Sequence, residues 1–142
     1  MHSSILAICM LLFCCAISTA QKVEIRQVPI RQTSWASGQQ MYREYCVACH
    51  GENAKGDGPA ASACTFRPRD LTKLASENGG NFPYNHFYAV MKFGTQLSTP
   101  AHGSADMPIW LPLLSSLNRD REGLVVQRIH NLGQYVASLQ AK

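Results

Sequence analysis

Apolar positions recur at helical spacing near the end of the chain, and they predict a C-terminal helix over residues 120–140. Side chains three or four positions apart share one face of a helix, so these residues would form a continuous apolar stripe against a core. The stripe consists of Leu124, Val125, Ile129, Leu132, Tyr135, Val136 and Leu139.

A second helix is predicted over residues 34–46, where Tyr42 and Tyr45 give one side a partly apolar character. Ser34 or Ser37 is available as its N-cap, because a serine hydroxyl accepts a hydrogen bond from the first turn of a helix. This helix would lead directly into a pair of cysteines.

A third, shorter helix is predicted over residues 85–93, capped by Asn85 and ended by Gly94. Residues 95–116 contain three prolines and little periodicity, so an irregular segment is expected there. No convincing strand pattern appears anywhere in the sequence. The pattern as a whole predicts an all-α fold with three principal helices.

The amino-terminal residues have the pattern of an export signal. An apolar run over residues 5–17 is followed by small residues at the cleavage-determining positions, which predicts a cleavable secretory signal peptide over residues 1–20. The run is shorter than the roughly 20 apolar residues that span a bilayer. No Lys or Arg precedes the run, so a retained membrane anchor is the alternative. We expect no stable membrane span after cleavage.

Residues 21–33 are predicted to form an extended polar lead-in, and residues 34–142 to form one domain. The formal net charge of +4 is mild, and no block of five like charges occurs. Nucleic-acid binding therefore has no support. Arg67 and Arg69, with Lys73 close by, are candidates for a basic patch that steers an acidic redox partner, although a solvated loop is the simpler interpretation.

The candidate chemistry is concentrated in Cys46-Val47-Ala48-Cys49-His50. Two thiols separated by two residues and followed directly by a histidine are the attachment pattern of a c-type haem. Each sulfur can add to one vinyl group of the porphyrin, and the imidazole is then held under the iron as its proximal ligand. The sequence has a single motif of this kind, so we expect one haem c, covalently bound through Cys46 and Cys49.

Such a cysteine pair is also found in thioredoxin-like redox sites, in zinc sites and in disulfides. A thioredoxin-like site should follow a strand, and none is predicted before Cys46. A zinc site needs two further ligands at matched spacing, whereas Cys64 is the only other cysteine outside the predicted signal. Cys64 itself is interpreted as a small buried hydrophobe, with an intermolecular thiol as the alternative.

A second axial ligand has to come from elsewhere in the chain. Met41 precedes the cysteines on the same predicted helix, and Met91 lies on the inner side of another, where a core methionine is the ordinary outcome. Met107 lies in the irregular segment and is followed by proline, so it is the predicted sixth ligand of the iron. Bis-histidine ligation through His102 and an open sixth position are the alternatives.

The ring nitrogen of His50 that does not face the iron is expected to donate to a backbone carbonyl, which orients the imidazole. Pro59, at the end of a glycine-rich loop over residues 51–59, is the predicted acceptor, because proline has no N–H of its own to satisfy. The glycines of this loop are expected to let the backbone pass closely round the haem edge.

With these motifs the chain resembles a class I c-type cytochrome of the bacterial exported type over about residues 34–140. Met107 is followed by Pro108, Ile109 and Trp110, which resembles the segment that carries the methionine ligand in that family. The resemblance implies a small cytochrome c fold, with three principal helices around one covalently attached haem. It also places Trp110 beside the haem, where the indole N–H can reach a propionate.

The same resemblance implies a crossing of the first and last helices. Gly38 and Tyr42 lie eight and four residues before Cys46, where that family has a glycine and an aromatic residue. Leu132 and Tyr135 resemble the other half of the crossing. A glycine in a helix interior costs about 1 kcal/mol relative to alanine, and close helix approach would explain its presence.

The function implied is that of a periplasmic one-electron carrier in a respiratory or redox chain, with redox proteins as its donor and acceptor. A filled sixth position leaves no vacant site for a substrate, so no enzymatic activity is expected. A fixed haem c subunit of a multi-protein dehydrogenase or oxidase is the alternative. An open-site haem peroxidase or sensor is less favoured, because His102 is the one candidate for a distal acid–base group.

Overall fold

The computed structural model describes residues 28–94, 106–118 and 121–141. Its described part contains helices and 3₁₀ turns and no strand, which confirms the predicted all-α class. None of the described helices is long and apolar enough to cross a membrane. The predicted signal peptide and most of the predicted lead-in lie outside the described residues. The helices are α1 (Gly38–Tyr45), α2 (Val47–His50), α3 (Tyr84–Phe93), α4 (Trp110–Ser116) and α5 (Glu122–Ser138).

Helix α1 begins later than predicted because the residues before it form a turn. The backbone N–H of Ser37 donates to the carbonyl oxygen of Ser34 at 3.3 Å. Ser37 then acts as the N-cap, since its hydroxyl accepts from the backbone N–H of Gln40 at 3.1 Å. Of the two predicted caps, Ser37 is therefore the one that the structure uses.

Helix α3 begins at Tyr84, one residue before the predicted start. Pro83 occupies the N-cap position, and it makes no side-chain capping bond, so the prediction of Asn85 as the cap was wrong. A proline has a fixed φ and no N–H to satisfy, which allows a helix to begin there without a polar cap. The predicted end is confirmed, because Gly94 is the C-cap with a φ of 80°.

The expectation that residues 95–116 are irregular was wrong for the last part of that segment, which forms α4. Pro112 is the third residue of this helix. The first turn of a helix has N–H groups without intrahelical partners, so a proline there removes no hydrogen bond. Trp110 and Leu114 are the buried residues of α4 and attach it to the core.

The first and last helices pack closely, as the family resemblance implies. A Cβ added at Gly38 would overlap the carbonyl oxygen of Asn131 and would lie 2.7 Å from the Cβ of Tyr135. The rings of Tyr42 and Tyr135 lie 5.5 Å apart, and Leu132 is 1% exposed. A larger residue than glycine at position 38 would therefore separate α1 from α5.

Candidate cofactor site

A cavity of about 520 Å³ lies between the helices, within the range of sites for small molecules and cofactors. Much of its wall is apolar, with Leu71, Leu74, Phe87, Val90, Leu132 and Val136. Among the predicted site residues the wall includes Cys46, Cys49, His50, Met107 and Trp110, and Pro59 is not part of it. The fold thus brings Cys46 and Trp110, which are 64 positions apart in the sequence, to the same cavity.

A break between α1 and α2 presents the cysteines to this cavity. Cys46 lies between the two helices with a φ of −114°, and the backbone N–H of His50 donates to its carbonyl oxygen at 2.8 Å. The single turn of α2 then keeps Cys49 and His50 on the cavity side. Both thiols are free.

The electrostatic surroundings keep the two thiols protonated. Burial, together with the neighbouring Cys49, raises the pKa of Cys46 to about 12. Burial and the adjacent Cys64 raise the pKa of Cys49 to about 11. Neutral thiols are the form in which these sulfurs fit an apolar wall, since a buried thiolate would need a counter-charge.

The ring of His50 is held by the backbone carbonyl of Arg69. The prediction that Pro59 is the acceptor was therefore wrong. Nδ1 lies 3.1 Å from the carbonyl oxygen of Arg69. A carbonyl oxygen only accepts, so Nδ1 carries the proton and the lone pair of Nε2 remains for a metal. Burial lowers the pKa of His50, and the bond to Arg69 opposes this in part.

Pro59 fails as the acceptor because its turn is bonded to α2 itself. Gly58 donates its N–H to the carbonyl oxygen of Cys49 at 3.1 Å, and Ala60 donates to that of Ala48 at 2.8 Å. These bonds leave Pro59 exposed and outside the cavity wall. A carbonyl acceptor has no signature in a side chain, so the sequence contained no signal for Arg69.

The glycine-rich loop brings Arg69 to its place. Gly56 has a φ of 73°, and a Cβ there would overlap the carbonyl oxygen of Pro68. The N–H of Gly56 donates to the carbonyl oxygen of His50 at 2.9 Å, and that of Leu71 donates to Ala54 at 2.7 Å. These two hydrogen bonds bring the backbone of the loop close to His50, and they place the carbonyl group of Arg69 beside the imidazole.

Of the three methionines considered, two reach the cavity. Met41 is fully buried on α1 and is not part of the wall, whereas Met91 and Met107 both line it. Met91 is 2% exposed and belongs to the core cluster on α3. The alternative ligand His102 lies outside the described residues. His86, which is exposed on α3, also lines the cavity.

Met107 is flanked by two anchored residues. The carboxylate of Asp106 accepts from the backbone N–H of Thr65 at 2.6 Å and from the Thr65 hydroxyl at 3.4 Å. Trp110 is 8% exposed and lies against Tyr45, with 5.4 Å between ring centroids. The chain is thus fastened on both sides of the methionine.

Cys64 lies beside Cys49 in the same wall. It is partly buried, and its thiol donates to the carbonyl oxygen of Ala60 at 3.6 Å. This position agrees with the interpretation of Cys64 as a small buried side chain and gives no support to an intermolecular thiol.

The residues present fit a covalently attached haem. The wall is apolar, two free thiols and an imidazole with an available nitrogen lie on one side, and a thioether lies in the same cavity. Arg67 and Arg69 lie at the cavity and can face acidic propionates, although the side chain of Arg69 is paired with Glu77. Within the described residues no group of three His, Cys, Asp or Glu side chains is placed to hold a metal ion alone.

Comparisons with known proteins agree with this fit. A family model described as Cytochrome c matches residues 35–108. FixP, a subunit of the Cbb3-type cytochrome c oxidase of Rhizobium meliloti (strain 1021), is 28% identical over 116 residues. The match covers 82% of this chain and 34% of FixP, so the chain spans about a third of that relative. No solved structure matches.

Proposed function

The chain belongs to the cytochrome c family, and from that premise we propose that it is a mobile one-electron carrier that works outside the cytoplasm. Haem c supplies a one-electron Fe(III)/Fe(II) couple when it is bound in the cavity. The observation that carries the proposal is the position of His50, with Nδ1 tied to Arg69, in a cavity that Met107 also lines.

In this proposal each predicted site residue that lines the cavity has a defined task. Cys46 and Cys49 would hold the porphyrin through thioether links, and the Nε2 of His50 and the sulfur of Met107 would bind the iron. Trp110 closes the wall beside Tyr45, with its indole N–H available for a propionate. An iron bound by both residues would have no free position for a substrate, which is why we assign it electron transfer.

Part of the lead-in is fastened to its own domain. Gln32 donates from its side-chain amide to the carbonyl oxygen of Leu117 at 3.3 Å, and the carbonyl oxygen of Thr33 accepts from Arg128 at 2.8 Å. Thr33 is 8% exposed. The end of the lead-in is therefore attached to its own domain, which favours a mobile carrier, whereas Val28 before it is 75% exposed.

The second candidate is a fixed haem subunit of an oxidase. It is favoured by the similarity to FixP, which is a subunit of such a complex. Fractionation of the native host separates the two: a mobile carrier is recovered as a monomer from the extracytoplasmic soluble fraction. Recovery with a membrane oxidase under gentle detergent, at constant stoichiometry, would instead identify a fixed subunit.

The ligand assignment is tested with Met107→Ala and the matched control Met91→Leu. Sulfur ligation gives ferric haem a weak long-wavelength absorption band, which Met107→Ala should abolish while opening the ferrous iron to carbon monoxide. Met91→Leu conserves volume in the core, so the band should remain. Loss of the band in Met91→Leu, or rapid stoichiometric carbon monoxide binding by the wild type, would refute the assignment.

A further inference from the structure

Arg128 is a buried cation in the middle of α5, where it is 2% exposed. Its guanidinium donates to the hydroxyl of Thr33 at 2.9 Å and to the carbonyl oxygen of Thr33 at 2.8 Å. It lies 3.8 Å from the sulfur of Met41, and its Nε is buried without a partner. No ion pair of the described residues includes Arg128, so none of the carboxylates in this part of the chain is paired with its buried positive charge.

Packing and stability do not account for this arrangement. Removing a charge from water costs several kcal/mol, and an apolar side chain of similar volume is often neutral or stabilising in its place. Two of the bonds to Arg128 come from one residue, Thr33, and neither partner is ionised. The charge is therefore retained at a cost, which points to an effect of the charge itself.

A short hydrogen-bonded chain leads from Arg128 to the cavity. The hydroxyl of Tyr45 donates to the carbonyl oxygen of Arg31 at 2.7 Å, which uses its one proton. The Thr33 hydroxyl, 2.8 Å away, must then donate to Tyr45, since it accepts from Arg128. Tyr45 lines the cavity against Trp110. We name Arg128, Thr33 and Tyr45 the Arg128 network.

We propose that the Arg128 network sets the reduction potential of the haem by directing a buried positive charge toward the cavity. Reduction of Fe(III) to Fe(II) removes one positive charge from the iron, so a nearby cation favours the reduced form. The Thr33 hydroxyl points its proton toward Tyr45 and adds to the same field. Water and salt screen a buried charge much less than an exposed one, which makes Arg128 effective at a distance.

The test uses haem-loaded protein and measures the midpoint potential by spectroelectrochemistry. Arg128→Met should lower the Fe(II)/Fe(III) ratio at a fixed ambient potential by about tenfold, which corresponds to 59 mV for one electron. Arg128→Lys should lie between the wild type and Arg128→Met, because a buried lysine loses its proton far more readily than an arginine. Arg43→Met is the control, since it removes an exposed arginine of α1 and should change the ratio by less than about twofold.

Tyr45→Phe tests the network while leaving Arg128 in place. It removes the acceptor of the Thr33 proton, so the ratio should fall by about threefold in the same direction. This variant decides the question if Arg128→Met fails to take up haem. The inference is overturned if Arg128→Met has a normal spectrum and the wild-type potential, or if Tyr45→Phe causes no shift.

The inference rests on haem in the cavity and not on any particular sixth ligand. Failure of the proposed haem attachment and failure of the proposed role of the Arg128 network can therefore be distinguished. Wild-type protein whose pigment is released by acidified organic solvent would refute covalent haem attachment. A normal haem spectrum with an unchanged potential in Arg128→Met would refute the role of the Arg128 network alone.

Discussion

Two walls of the cavity hold their proposed ligands in different ways. The His50 wall, residues 46–71, is closed by backbone hydrogen bonds among near neighbours, and the imidazole itself is tied to Arg69. The Met107 wall, residues 106–117, is fastened by Asp106 to a residue 41 positions away and by the burial of α4. A thioether has no proton to donate, so Met107 gains no orienting bond of the kind that His50 has.

The difference indicates that the protein orients His50 by a hydrogen bond of its own, whereas the position of Met107 would rely on the metal. An imidazole with a fixed tautomer and orientation is ready for the iron before it binds. In the proposed centre, a methionine positioned only through its neighbours would depend more on the iron–sulfur bond itself. We therefore expect the Met107 side to open first under stress, while the His50 side stays closed.

The largest effect is expected from His50→Ala compared with Met107→Ala. The first variant removes the prepared ligand, and the yield of haem-loaded protein should fall at least about tenfold. The second should keep its covalent haem and lose only the sulfur band. Pigment yield per milligram of protein and the ferric spectrum measure the two outcomes. Equal yields of both variants would show that the walls do not differ in this way.

The closure of the His50 wall is tested with Gly56→Ala. Gly56 has a φ of 73° and no space beside the Pro68 carbonyl, so we expect a loss of about 3 kcal/mol in the free energy of unfolding. Gly79→Ala is the matched control, since its φ is 64° and nothing lies within 4 Å of the added Cβ. It should cost about 1 kcal/mol. Denaturant unfolding measures both, and similar losses would contradict a role for the Pro68 contact.

The fastening of the Met107 wall is tested with Asp106→Ala. Loss of the 2.6 Å bond from the Thr65 N–H should destabilise the sulfur-ligated state by about 1–3 kcal/mol. The sulfur band should then disappear at a lower denaturant concentration than in the wild type, before global unfolding. Thr65→Val keeps the backbone N–H and removes only the 3.4 Å hydroxyl contact, so it should have the smaller effect. A larger effect of Thr65→Val would assign the fastening to the hydroxyl.

The smallest effect is expected from Asp70→Asn, at the end of the His50 wall. Hydrogen bonds from the Thr72 hydroxyl and N–H, at 2.6 and 3.0 Å, hold the pKa of Asp70 below its ordinary value of 3.8. A depressed pKa contributes stability above pH 3.8, and the contribution is lost as the pH falls through the folded-state value. Because asparagine keeps the cap and loses only the solvent-screened charge, Asp70→Asn should cost about 0.5 kcal/mol or less at pH 7 and almost nothing at low pH. A cost that does not change with pH would show that the carboxylate charge is not responsible.

Much of the His50 side could be predicted because its signals are local. Cys46, Cys49 and His50 are adjacent in sequence, and one helical turn is enough to direct them to one cavity. Gly38 was predicted to allow close helix approach, and it does so against Asn131. The cysteine and histidine signals depend only on local spacing, whereas the role of Gly38 followed from the family resemblance.

Other features could not be predicted from the sequence, because the residue type gave no signal or a misleading one. Pro112 indicated an irregular segment, yet a proline is tolerated in the first turn of α4. Arg69 acts through its backbone carbonyl, which is common to all residues. Arg128 was not distinguished from an ordinary exposed arginine, although its guanidinium reaches Thr33 from 95 positions away.

By itself, the sequence determined the helical class, the attachment motif and the membership of a family that carries haem, because covalent order and helical period are local properties. Only the tertiary structure decided which carbonyl orients His50, which methionines reach the cavity and where a charge is buried. Those outcomes depend on how distant segments pack, since a hydrogen bond or a desolvated charge exists only once both partners have been brought together.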